Sequence, residues 1–138
     1  MTLFKLTKDK VVLRLRWVMA LVMFLDGVCT LIGQPPSYWH DFGRAQELDY
    51  FPRLFLVHGY MAFIIASLLY ATGAILIVSF VPRKISLVIL FTLLLGHFRG
   101  ASGWMLYYLG FKLFQVNLVC LCLAILVVMA IGKAKDEM

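Results

Sequence analysis

Charged side chains are rare within the apolar segments of this chain, and the few that occur there are the best candidates for a functional site. Asp26 supplies a carboxylate, Arg99 a guanidinium, and His97 an imidazole two residues before Arg99. A guanidinium at the centre of a bilayer costs roughly 2.5–3.5 kcal/mol even on lenient insertion scales. We therefore expect Arg99 to face a partner, a ligand or water.

These residues fall at similar depths when each predicted helix is measured from its end. At ~1.5 Å per residue, the candidate residues lie about 4–14 Å below one membrane face, with His97 slightly deeper. Apart from His97, there are four candidate residues, one on each predicted helix: Asp26, His58, Arg99 and Asn117. This coincidence predicts four helices closed around one polar layer, which could hold a lipid or a cofactor.

Asp26 is the predicted partner of Arg99, because a planar guanidinium and a carboxylate satisfy each other in a two-point pair. Such a buried salt bridge would fix the packing of the helices. Two functional interpretations remain open beside it. Arg99 could bind a carboxylate, a lipid phosphate or a quinone-type carbonyl, and Asp26 could couple to a proton or an ion.

The histidines leave a cofactor possible but unidentified. His58 and His97, on adjacent predicted helices, could bind haem iron from both sides, or simply form hydrogen bonds. His40 could join a metal site with Asp41 or His58, although the spacing follows no familiar ligand pattern. The sequence contains none of the common hydrolase, metalloprotease or nucleotide-binding motifs, so we expect a protein that is not an enzyme.

Composition determines the class. Of 138 residues, 63% are hydrophobic and 14% are charged, with a mean hydropathy of +0.93. This much apolar surface predicts an all-α integral membrane protein with a single transmembrane domain, 1–138. The predicted spans of this antiparallel four-helix bundle are about 11–33, 53–80, 85–108 and 112–132. An outer loop covers 34–52.

Basic residues predict the orientation of the bundle. Three lie on the loop side, namely Arg44, Arg53 and Lys112. Nine lie on the other side, namely Lys5, Lys8, Lys10, Arg14, Arg16, Arg83, Lys84, Lys133 and Lys135. The positive-inside rule then places both termini in the cytoplasm. Because these charges gather at helix ends and form no continuous face, we expect no nucleic-acid partner.

Glycines indicate where helices pack closely. Gly96, Gly100 and Gly103 form a small-residue stripe on the third span, and Gly59 begins a similar stripe on the second. Small residues let two helix backbones approach. Packing within this bundle and packing against another subunit both fit the pattern.

The outer loop is rich in aromatic residues that suit the membrane interface. Tyr38, Trp39 and His40 lie near its start. Rings with a polar edge favour the headgroup region, which predicts an interfacial loop. A lid over a pocket or a docking surface is the alternative.

Together these features favour a non-catalytic subunit of a larger membrane protein complex. We expect other membrane subunits and lipids as partners, with a second copy of the chain also possible. The alternatives are a small transporter or ligand-binding protein that uses the Asp/His/Arg residues, and a haem- or metal-binding subunit. We expect a multi-pass protein of a bacterial inner membrane or an equivalent membrane.

Overall fold

A computed structural model describes the backbone of residues 9–47 and 49–136, and the side chains of these residues up to 132. Within this part of the chain there are helices and no β-strand. The α-helices are α1 (Lys10–Ile32), α2 (Tyr50–Leu56), α3 (Tyr60–Phe80), α4 (Arg83–Tyr107) and α5 (Leu113–Asp136). All but α2 are long and apolar enough to cross a membrane. The prediction of an all-helical, multi-pass membrane protein with four spans is confirmed.

The connections explain where the long helices begin and end. Pro82 separates α3 from α4, and the Ser86 hydroxyl donates to the Val78 carbonyl (2.8 Å), which ties the two helices together at this turn. At the start of α1, the Asp9 carboxylate accepts from the backbone N–H of Val12 (3.0 Å). Such caps satisfy N–H groups that have no partner within the helix.

Some of the basic residues used to predict orientation are beyond the described region. Lys5 and Lys8 lie outside it, as do the side chains of Lys133 and Lys135. Arg83 lies within it, and its Nε is 2.9 Å from the Asp9 carboxylate. This ion pair brings the start of α1 next to the start of α4.

The second predicted span, 53–80, is wrong as one continuous helix. The chain instead forms the short helix α2 and the long helix α3, separated at Gly59. Gly59 has a φ of +106°, which side-chain-bearing residues rarely adopt, and a Cβ there would lie 3.1 Å from the Phe42 ring. The break is hidden in the sequence because apolar residues continue on both sides of it.

Helix α1 is at the centre of the packing, since it contacts α3, α4 and α5. Its buried side chains include Val12, Leu15, Met19 and Val22. At its far end, a Cβ on Gly33 would collide with the ring of Trp104, so the ends of α1 and α4 also meet. Helices α1 and α4 therefore lie side by side in the same direction, whereas α5 is the least covered of the long helices.

The loop between α1 and α2 is folded and has a small core of its own. Tyr38 is fully buried and its hydroxyl donates to the Leu56 carbonyl (3.2 Å). Burial raises the pKa of the Tyr38 phenol. Gln34 pairs with the backbone of Gln46, accepting from its N–H (2.9 Å) and donating to its carbonyl (3.1 Å). The Tyr38 bond holds the loop against the end of α2, and the Gln34 bonds tie the start of the loop to Gln46.

Two further residues of this loop stand out in the sequence, Trp39 and His40. Both have exposed side chains. The Trp39 ring lies 5.9 Å from the ring of Tyr60 at the start of α3. An aromatic surface therefore extends from the loop onto α3.

Candidate intramembrane polar site

Asp26 on α1 and His97 on α4 form a polar contact between two of the spans. The Nδ1 of His97 lies 2.8 Å from an Oδ2 of Asp26, a hydrogen bond between helices. Both side chains are partly buried, with exposures of 18% for Asp26 and 23% for His97. The carboxylate fixes the orientation of the imidazole ring, as second partners of histidine do at many functional sites.

The expected Asp26–Arg99 salt bridge is absent, and this prediction is wrong. The Arg99 side chain is exposed and has no hydrogen bond or ion pair with the described residues. Residues two apart on a helix point about 200° apart, so His97 and Arg99 cannot both face α1. More generally, no Asp, Glu, Lys or Arg among the described side chains is buried.

Gly100 makes the approach of the carboxylate possible. A Cβ on Gly100 would lie 2.6 Å from Asp26 Oδ1, well inside van der Waals contact. The carboxylate therefore occupies the space that a side chain on α4 would fill. Gly100 is one turn after His97, which places both residues on the face of α4 that meets α1.

The other two glycines of the stripe have no close neighbour above them. A Cβ on Gly96 or on Gly103 would meet nothing within 4 Å. Together with Arg99 they form a side of α4 turned away from α1, which we call the outward face: Gly96, Arg99 and Gly103. The single stripe read from the sequence is thus covered at Gly100 and open at Gly96 and Gly103.

Tyr70 on α3 completes the surroundings of His97. The two ring centroids are 5.8 Å apart, and the Tyr70 side chain is 48% exposed. Sequence reasoning missed this residue. Tyr70 is ten residues into α3 and His97 is ten residues before the end of α4, and this matched depth could have revealed it.

His58 and Asn117 do not join the site, so the predicted polar layer is not assembled. His58 is exposed in the break between α2 and α3, and Asn117 is exposed on α5. His58 lies outside α3, so His58 and His97 are not on two adjacent long helices, as the haem hypothesis assumed. The described residues contain no group of three or more His, Cys, Asp or Glu side chains placed to hold a metal ion.

No protein-family model matches this chain, and neither a curated protein nor a solved structure is similar to it. Its function is therefore inferred from its own residues. Two features carry chemistry: the Asp26–His97 pair on one side of α4, and Arg99 on the other.

Proposed function

We propose that this protein is a non-catalytic subunit of a larger membrane protein complex, and that it contacts its partner through the outward face of α4. The exposed Arg99 guanidinium is the observation that carries this proposal. In this arrangement the four spans form an antiparallel bundle with both termini in the cytoplasm. A bacterial inner membrane, or an equivalent membrane, is the proposed location.

The position of Arg99 supports a partner helix. Arg99 lies eight residues before the end of α4, about 12 Å along the helix axis. A guanidinium turned toward lipid at this depth costs several kcal/mol, so it is stabilised by pairing. Gly96 and Gly103 lie on the same face, with open space above each, and small residues of this kind allow a second helix to approach.

Charge favours a different protein over a second copy of this chain. A carboxylate on the partner helix would satisfy the guanidinium of Arg99 best. Among the long helices up to residue 132, Asp26 is the one acidic residue, and it is already bonded to His97. A second copy therefore offers Arg99 no free carboxylate within the bilayer.

The test is native mass measurement of the full chain, tagged, expressed in cells that naturally contain it and extracted in mild detergent. We expect a heteromeric assembly for the natural chain. Gly96→Leu should release the monomer, because the added side chain fits this chain and blocks the partner. Gly73→Leu is the matched control, since Gly73 also has open space but is on a different helix, α3.

Two results would overturn the proposal. One is a stable monomer for the natural chain after mild extraction. The other is an assembly that survives both Gly96→Leu and Arg99→Leu, because the contact would then lie on another surface.

A further inference from the structure

One ring nitrogen of His97 takes no part in the hydrogen bonds that hold the helices together. Its Nδ1 is engaged with Asp26, whereas its Nε2 has no hydrogen-bond partner among the described residues. The residue is 23% exposed, and the atom is not enclosed by protein. The Nε2 edge of the imidazole is therefore accessible from the membrane beside the Tyr70 ring.

The number of protons held by Asp26 and His97 together determines whether Nε2 can donate a hydrogen bond. An ionised Asp26 with a neutral His97 would carry a net negative charge inside the bilayer, which is costly. One added proton gives a pair without net charge. If the proton is on Asp26, Nδ1 accepts it in a hydrogen bond and the ring hydrogen is on Nε2. If the proton is on His97, both ring nitrogens carry hydrogen. In either form Nε2 is a hydrogen-bond donor.

We propose that the surface where Tyr70 of α3 meets His97 of α4 binds a lipid-soluble carbonyl compound, whose oxygen accepts a hydrogen bond from His97 Nε2. The half-exposed Tyr70 ring, 5.8 Å from the His97 ring, provides a flat surface against which a quinone ring packs. Asp26 is the positioning residue, because it holds the imidazole in place. The proposed complex places its partner helix on the outward face of α4, and His97 is not part of that face. The ligand site therefore stands independently of the complex.

The carbonyl has two possible sources, a quinone dissolved in the bilayer or the ester group of a lipid. His97 is ten residues before the end of α4, about 15 Å along the helix axis. Lipid esters lie at the edge of the hydrocarbon layer, whereas a quinone ring enters it. Depth therefore favours the quinone.

Nitrogen NMR of the full chain, labelled with ¹⁵N at histidine, tests the proposal in nanodiscs of ether-linked lipid, which contain no ester carbonyls. Adding decylubiquinone should shift the Nε2 resonance of His97 and leave Nδ1 nearly unchanged. A shift on changing to ester-linked lipid, without decylubiquinone, would identify the lipid ester as the source. If neither addition moves the Nε2 resonance, the proposal is overturned.

A matched pair of substitutions separates the ligand role from a structural one. His97→Asn keeps an amide N–H near the position of Nδ1 for Asp26 but has nothing at the position of Nε2. We expect it to weaken decylubiquinone binding roughly 10-fold, as the loss of one hydrogen bond to a polarised donor does. Binding is measured by infrared spectroscopy of decylubiquinone with a ¹³C-labelled carbonyl, because the hydrogen-bonded carbonyl gives a band at lower frequency than the free one.

His58→Asn is the control, because His58 is exposed outside α3, and it should leave that band unchanged. A band that persists in His97→Asn would overturn the assignment to Nε2. The NMR titration needs no variant, so the proposal remains testable even if His97→Asn does not fold.

Discussion

The two sides of α4 carry similar residues in opposite surroundings. Toward α1, His97 is bonded to Asp26, and Gly100 is in contact with the same carboxylate. On the outward face, Arg99 is exposed and Gly96 has open space above it. Each side thus presents a basic residue and a glycine. The difference shows that rotation around the helix, and not depth in the membrane, decides which polar residue is satisfied within the chain.

The largest expected effect comes from a comparison of two glycines of the stripe on α4, Gly100 and Gly96. Gly100→Ala places a Cβ 2.6 Å from Asp26 Oδ1 and must displace the carboxylate from His97. We expect a loss of about 3 kcal/mol in the free energy of unfolding, from overpacking together with a weakened hydrogen bond. Unfolding of the purified protein in detergent measures it.

Gly96→Ala is the control for this substitution, four residues earlier on the same helix. With nothing within 4 Å, its Cβ should not destabilise the isolated chain, and the higher helix propensity of alanine should stabilise it by about 0.5–1 kcal/mol. Equal losses for the two alanine variants would show that Gly96 is packed as closely as Gly100.

A smaller effect is expected from removing the imidazole. His97→Leu leaves the partly buried Asp26 carboxylate without its hydrogen-bond donor. The expected loss is about 1–2 kcal/mol in the free energy of unfolding, within the range for an unsatisfied polar group. The same detergent unfolding assay checks it, and Asp26→Leu combined with His97→Leu should lose less than the two single losses added together.

The smallest effect on the isolated chain is expected from removing the guanidinium. Arg99→Leu deletes a side chain with no described partner and keeps a similar helix propensity. The free energy of unfolding in detergent should change by less than about 0.5 kcal/mol. A loss comparable to that of His97→Leu would mean that Arg99 is bonded within the chain, and the outward face would then need no partner.

The sequence was sufficient for the helices that depend on composition. Long apolar runs predict four spans because each must supply enough length to cross the hydrocarbon layer. The turn at Pro82 was also predictable, since the residue before proline disfavours helix and proline itself has no N–H to donate. Both features depend on local chemistry alone.

The polar site was only partly predictable, for a geometric reason. Depth along a helix follows from residue counts, so Asp26 and the segment around His97 were assigned to similar levels. The direction of each side chain depends on how the helices rotate against each other, which residue counts do not contain. That missing information is why Arg99 was assigned as the partner of Asp26 and why Tyr70 was missed.

The hydrogen bond between Asp26 and His97 also has a consequence for biosynthesis. The two residues are 71 positions apart, and synthesis at about 5–20 residues per second separates their emergence from the ribosome by roughly 4–14 s. During that interval the first span carries a carboxylate whose hydrogen-bond partner on α4 has not yet been synthesised. Late synthesis of α4 therefore delays the pairing of Asp26, and slowing translation between α1 and α4 should lengthen the interval in which its carboxylate is unpaired.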